Sequence, residues 1–453
     1  MTDYRTGTRA VAIAVAAALC ACGSNNGATA FPALPGVAAP SDGARGEASS
    51  KIRHVVIVVQ ENRSFNNLFY GFPGAKTAKF GYDSLNERVQ LEAVGLEADW
   101  DLDHSSRSFF AACNGTGLTP GTDCRMNGFD KEGNDCRTGC PPLPAYAYVP
   151  QSETKPYFDI AKQYVLADRM YESNFDASSF VSHQYIIAGQ AMSSVNFPYA
   201  AWGCSGGPGD KVAKVGPKRQ VPFGNEAICW NTTTLGDELD AAGLSWAFYT
   251  GAIKGPSGVW SAYQAIKHIY EGPDWKKDVF TPQTRFFNDV SKGRLRTVTW
   301  ITPTWPNSDH AGSGSKTGPS WVTSVVNAVG KSKYWSSTAI FIFWDDYGGW
   351  YDSEPPAYVD YDGLGFRIPL LIVSPYAKKG YVSHVHYEHG SILRFVEDAF
   401  GLPRLAASDK RANSPDDAFD FKKPPRRFVP IHSPFDREYF LSQPVDNHAP
   451  DSE

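Results

Sequence analysis

The chain has 453 residues, a formal net charge of -5 from 43 basic and 48 acidic residues, and 42% hydrophobic side chains. This is the composition of a soluble globular protein with room for one large α/β domain or two ordinary ones. It has no basic stripe of the kind that marks nucleic-acid binding, so no nucleic-acid partner is expected.

The densest basic run, Lys422-Lys423-Pro424-Pro425-Arg426-Arg427, reads as a solvated surface segment. The 12 Trp and 22 Tyr suit a thick core better than a cleft lined with stacked rings.

At the start of the chain, Arg5 and Arg9 precede an apolar stretch from Ala10 to Leu19, too short to span a bilayer comfortably. It ends in Leu19-Cys20-Ala21-Cys22-Gly23-Ser24, which resembles a bacterial lipobox with Cys22 as the lipidated residue. Residues 1–22 therefore read as a signal peptide. Residues 23–50, rich in Ala, Gly, Pro, Ser and Asn, read as a flexible tether. The expected product is exported: a periplasmic or cell-envelope lipoprotein held on a membrane by its lipid anchor, or a secreted protein. Residues 51–440 are expected to form one catalytic domain and residues 441–453 a tail.

His54-Val55-Val56-Ile57-Val58-Val59 is a continuous apolar, β-branched run, which suits a strand buried on both faces of a parallel sheet. Similar runs recur at Tyr164–Asp168, Thr297–Thr302, Ala339–Trp344 and Ile368–Val373. Helical patterns lie between them, at Thr233–Ala242, Trp321–Val329 and Ser391–Phe400. Strands alternating with helices predict an α/β fold, a mostly parallel central sheet with helices on both faces.

Two segments break the alternation. Residues 107–150 carry four Cys and many Gly and Pro, and read as a disulfide-pinned insertion over the cleft; residues 202–230 look similar. Beyond the leader the six cysteines are Cys113, Cys124, Cys136, Cys140, Cys204 and Cys229, an even number that fits disulfides in an oxidising compartment. Their pairing stays open. A zinc site on Cys136 and Cys140 is disfavoured, because no histidine sits near them.

In an open α/β sheet, ligands bind at the carboxyl ends of the strands. One strand runs into Gln60-Glu61-Asn62-Arg63-Ser64-Phe65, another into Asp345-Asp346-Tyr347-Gly348-Gly349-Trp350-Tyr351-Asp352. Together they could offer hard oxygen ligands to one cation, although either cluster alone is better explained as caps and turns. A third segment, Asn174-Phe175-Asp176-Ala177-Ser178-Ser179-Phe180-Val181-Ser182-His183, opens a helix, where a serine feels the positive end of the dipole. Ser178 and Ser182 are better read as ordinary capping residues, and His183 as a helix-lining neighbour of the site.

These three segments, in this order, resemble the bacterial phosphoesterase family, which holds phospholipases C and an acid phosphatase within the alkaline phosphatase superfamily. The resemblance runs from about Ile52 to about Phe421 and implies an alkaline phosphatase-like fold. It also implies metal-dependent hydrolysis of phosphate esters, phospholipids among them, through a phosphoserine intermediate. Carried over residue by residue, Ser179 would be the nucleophile and Glu61 and Asn62 would bind metal and phosphate. Asp345, Asp346 and Ser179 would complete the site of one divalent ion, with Ca, Mg, Mn, Zn and Fe all open. His104 in Asp101-Leu102-Asp103-His104, His310 in Ser308-Asp309-His310 and His389 in Tyr387-Glu388-His389 match family histidines that hold the phosphate or the leaving group. His384 and His386 read as surface residues.

The chain departs from the family pattern at Asn66-Asn67, where Asp-His is common, at Ala311, where Pro is common, and at Ser182. These departures blur the substrate. The absence of extra C-terminal β-domains leans toward the acid phosphatase branch. A sulfatase would need a Cys/Ser-x-Pro-x-Arg segment, which the nucleophile region lacks. A surface-anchored binding lipoprotein with this fold and no turnover would not need a serine beside a metal.

Overall fold

The run at His54 forms strand β1 (His54–Gln60) at the middle of a nine-stranded sheet. The structure is a computed structural model and describes residues 50–198, 202–207, 209–251 and 260–446. The expected signal peptide, Cys22, nearly all of the tether and the end of the tail lie outside the described residues. Among the described residues, no helix is long and apolar enough to cross a membrane.

In chain order the other strands are β2 (Val165–Tyr171), β3 (Trp246–Tyr249), β4 (Val279–Phe280), β5 (Val298–Ile301), β6 (Thr338–Trp344), β7 (Arg367–Val373), β8 (Tyr381–Ser383) and β9 (Tyr387–Glu388). They line up as β4-β3-β5-β1-β6-β7-β2-β8, with β9 also paired to β2. β1 is parallel to β5 and β6, β3 to β4 and β5, and β2 to β8 and β9. Only β7 runs against both its neighbours. The fold is the expected mixed α/β type with a mostly parallel sheet.

The apolar runs of β1, β6 and β7 are buried almost throughout. Burial of each such Val, Ile or Phe contributes roughly 1.5–3 kcal/mol. Two groups of helices cover the sheet. Helices α1 (Gln151–Gln163) and α2 (Gly318–Gly330) pack on each other, as do α3 (Ser179–Ala188) and α4 (His389–Phe400).

The two Cys-rich segments are disulfide-pinned, as expected, and their pairing is now defined: Cys113–Cys124, Cys136–Cys140 and Cys204–Cys229. Cys136 and Cys140 are therefore not zinc ligands. The first segment has apolar anchors of its own: Phe109, Phe129 and Tyr146 join Tyr347, Trp350, Tyr351 and Phe366 in a second buried cluster. That packing makes it a fixed wall beside the sheet ends rather than a loose flap.

Register positions the site. Gln60 pairs with Trp344, so Glu61 and Asp345 leave neighbouring strands at one level. Glu388 pairs with Tyr171, so His389 and Glu172 also leave together.

Candidate active site

The two motifs at the ends of β1 and β6 are bolted together. Ser64 Oγ donates to Tyr351 O at 2.8 Å and accepts from Asn67 N at 3.2 Å, capping a short helix. Asp352, at the end of the second motif, accepts from Asn66 N at 3.1 Å and pairs at 2.8 Å with the buried Arg367. Asn66, one of the departures from the family pattern, spans to Ala78 with both side-chain atoms. It is a structural residue.

Between these bolts, Asn62 takes a left-handed backbone conformation, φ 56°, which asparagine tolerates better than most residues. The chain of the second motif passes so closely that a Cβ on Gly348 would sit 2.2 Å from Asn62 O. A Cβ on Gly349 would meet Leu102 Cβ at 2.4 Å. The Gly-Gly pair therefore seats Asn62 on one side and the segment leading to His104 on the other.

Asp345 Oδ1 accepts from Asn62 N at 3.0 Å. His183 Nε2 lies 3.3 Å from Glu61 Oε2 and 3.6 Å from Asp345 Oδ2. Ligand atoms of Glu61, His183 and Asp345 all fall within 4.8 Å of one another, and all three side chains are buried. Ser179, the first residue of α3, donates from Oγ to Asp346 Oδ2 at 3.3 Å, while Asp346 Oδ1 accepts from Gly348 N at 2.8 Å.

Burial pushes Asp345 upward, but the nearby His183 imidazole and the hydrogen bond from Asn62 N outweigh it and hold its carboxyl well below the usual range. Glu172, which follows β2, behaves oppositely. Burial and the charges of Asp346 and Asp345 push it well above the usual range, and its Oε1 accepts from Tyr347 N at 2.9 Å.

The donor set fits a divalent cation. Glu61, Glu172, Asp345 and Asp346 are fully buried carboxylates that follow strands β1, β2 and β6, an arrangement that is costly without a compensating charge. Asp345 Oδ2 receives no hydrogen bond of normal length. With His183 included, the set is mixed nitrogen and oxygen rather than all oxygen.

The three sequence-predicted histidines take different places. His104 Nδ1 donates to Leu102 O at 2.8 Å. A carbonyl cannot donate, so Nδ1 carries the proton and Nε2 accepts from Asn62 Nδ2 at 2.8 Å. His310 lies with its ring 6.1 Å from that of His104 and 4.6 Å from Trp305, its Nδ1 3.7 Å from Asp101 Oδ2. His389 is buried, accepts from Ser173 N at 3.4 Å, and is pushed down to about 4 by burial, with Asp345 partly offsetting it.

The structure joins Glu61, Asp345, Asn62 and His104 through direct contacts with His183 and with one another, and pairs Ser179 with Asp346, the residue after Asp345, leaving His310 and His389 at the margins. His183, expected as a helix-lining neighbour, sits one helical turn after Ser179 in direct contact with the carboxylates, and Glu172, which has no motif to mark it, follows β2. The spacing of Ser179 and His183 was the available signal for the former. His384 is an exposed partner of Asp168, and the half-buried His386 stacks on Tyr171. Asp309, beside His310, is structural: it accepts from Tyr157 OH at 2.6 Å and Trp344 Nε1 at 3.1 Å, and its carbonyl accepts from Arg63 Nε at 2.7 Å.

A family model described as the phosphoesterase family matches residues 52–403. The chain belongs to the phosphoesterase family. It is 23% identical over 428 residues to non-specific phospholipase C1 of Arabidopsis thaliana, covering 84% of this chain and 74% of that one. It is also 23% identical over 423 residues to the non-hemolytic phospholipase C of Burkholderia pseudomallei, covering 77% of this chain but 55% of the longer relative. Phospholipase C B of Mycobacterium tuberculosis H37Rv is 23% identical over 445 residues, with 84% and 80% covered. Family and relatives make this phosphoesterase a phosphoric ester hydrolase. Among solved structures, one of a protein in the alkaline phosphatase superfamily from Vibrio parahaemolyticus is similar at TM-score 0.37 and 12% identity, covering 83% of this chain and 70% of the other.

Proposed function

We propose that the phosphoesterase cleaves phospholipid-type phosphate esters through a phosphoseryl intermediate on Ser179, with a divalent metal ion held by Glu61, His183 and Asp345 together with Asn62, Asp346 and Ser179. The reading rests on one observation above all. Ser179 Oγ is 3.3 Å from Asp346 Oδ2, beside the buried Glu61, His183 and Asp345 cluster. When bound, a divalent ion supplies Lewis acidity, screening the charge on the phosphoryl oxygens and lowering the pKa of a coordinated hydroxyl. The mixed donor set favours a borderline ion such as zinc or iron over calcium.

The chain's own groups account for the rest. Asp346 accepts the Ser179 hydrogen and aims Oγ from the first turn of α3, where the helix dipole favours negative charge. Asn62, oriented by His104 Nε2 and by its left-handed backbone, presents its amide to a phosphoryl oxygen. Attack of Oγ on phosphorus forms the Ser–O–P bond and breaks the bond to the leaving alkoxide. His310, its Nδ1 turned to the Ala311 carbonyl and to Asp101, gives that alkoxide its proton. Water then attacks phosphorus, giving its proton to the same imidazole, the Ser–O–P bond breaks, and Ser179 Oγ takes its proton back from Asp346. His389, kept neutral by burial, lines the site without serving as the acid at neutral pH.

The leader supports export with a lipid anchor on Cys22; a Cys22→Ser chain should leave the membrane fraction. The catalytic reading is tested with purified protein on para-nitrophenyl phosphate and para-nitrophenylphosphorylcholine, before and after chelation. Turnover of at least one, lost on chelation and restored by a divalent ion, is expected. Turnover of neither under any metal load would overturn it.

A further inference from the structure

We infer that the loops held by Arg219 form a bilayer-docking surface, through which the phosphoesterase sits on the interfacial zone of a phospholipid membrane. This rests on the reading of the chain as a phospholipid-cleaving enzyme.

Arg219 is buried and joins three separate loops. Its guanidinium donates to Gly121 O at 2.9 Å in the Cys113–Cys124 loop, and to Tyr361 O at 3.0 Å and Gly363 O at 2.6 Å in the loop after β6. It belongs itself to the Gly216–Gln220 turn, and its charge lies 4.9 Å from the centre of the Tyr358 ring. Such a clamp holds the loops in fixed relation.

From these three loops project the apolar side chains that a water-soluble surface least explains: Leu118 at 107% exposure, Phe223 at 61% and Tyr358 at 49%. Scattered exposed apolar residues are ordinary, but these three stand on loops tied to one buried arginine. Leu118 and Phe223 suit the acyl boundary, and a tyrosine, with its polar tip, suits the headgroup level. Lys218 and Arg125 are exposed on the same loops and form no ion pair among the described residues, set against the exposed Asp123. They would meet lipid phosphates.

The clamp also touches two elements that lead to the site. The same guanidinium lies 4.8 Å from the ring centre of Phe175, four residues before Ser179, and 6.0 Å from that of Phe109, on the helix that begins two residues after His104. A bilayer resting there would lie against the loops tied to the elements that carry Ser179 and His104.

The test uses the full chain bearing Cys22→Ser, so that no acyl anchor contributes, and co-sedimentation with vesicles of four parts phosphatidylcholine to one part phosphatidylglycerol. Leu118→Ser with Phe223→Ser is expected to lower partitioning at least about tenfold while turnover of soluble para-nitrophenyl substrates stays unchanged. Lys218→Glu, a surface change that leaves the core alone, should weaken binding to these vesicles several-fold, and less so to pure phosphatidylcholine. Partitioning equal to the parent's in both variants would overturn the docking surface while leaving the hydrolase reading intact. A double variant that alters only the sedimentation coefficient would also overturn it, assigning the patch to a second copy of the chain. Vesicle binding that depends on Leu118 and Phe223 in a protein that hydrolyses no phosphate ester would uphold the surface and sink the catalytic reading.

Discussion

Ser179 Oγ donates to Asp346 Oδ2 across 3.3 Å, and this contact joins the start of helix α3 to the segment that leaves strand β6. A Ser179→Ala chain keeps the helix, since alanine is a good first-turn residue. It should lose turnover by roughly 10³-fold or more, while its stability stays within about 1 kcal/mol of the parent. Steady-state rates and denaturant melts check both halves.

His183 is expected to be a ligand rather than a neighbour. His183→Gln keeps a polar side chain of similar reach but removes the imidazole 3.3 Å from Glu61 and 3.6 Å from Asp345. Metal affinity should fall at least about tenfold, read by elemental analysis after dialysis against a weak chelator. Full retention of metal with undiminished affinity would restrict His183 to hydrogen bonding.

Gly348 is required for shape. Its φ of 61° is left-handed, and a Cβ would strike Asn62 O at 2.2 Å. Gly348→Ala should cost about 1–3 kcal/mol of stability and, by displacing Asn62, lower kcat more than it raises KM. Thermal unfolding and kinetics test the two effects separately.

Away from the site, burial raises Asp362 from an ordinary 3.8 to about 6, with Tyr185 OH donating to it at 2.5 Å. A raised carboxyl binds its proton more tightly in the folded chain, so its contribution to stability is full below about pH 3.8 and is lost as pH rises through 6. Relative to Asp362→Asn, the parent should therefore gain stability on acidification from pH 8 to pH 4, by up to roughly 3 kcal/mol. Parallel urea melts across that range would show the gap.

Much of this architecture is legible in the residues. The β-branched run at Val55–Val59 and the apolar run at Ala339–Trp344 can satisfy neither a half-exposed strand nor an amphipathic helix, so a doubly covered sheet follows from them. The motifs after them are legible because the sheet ends are where polar clusters have chemical use. His183 is hidden because α3 is buried on every side and shows no polar face to mark which residues turn toward the carboxylates. Glu172 is missed because the strand read as ending at Asp168 continues to Tyr171, so the residue at its carboxyl end lies four places further on. The reversed direction of Arg367–Val373 depends on how the chain returns through the loop after Asp352, and the strand's composition does not carry that. The short strand Trp246–Tyr249 escapes notice because four aromatic and small residues offer no period to read.

The most direct measurement is acid-quenched mass spectrometry of the metal-loaded enzyme during turnover of a phosphate ester. A phosphoryl group on the peptide containing Ser179, absent from the Ser179→Ala chain and chased off on further incubation in water, is the predicted result. Full turnover by the Ser179→Ala chain, or a phosphoryl adduct that maps to a different residue, would contradict the account.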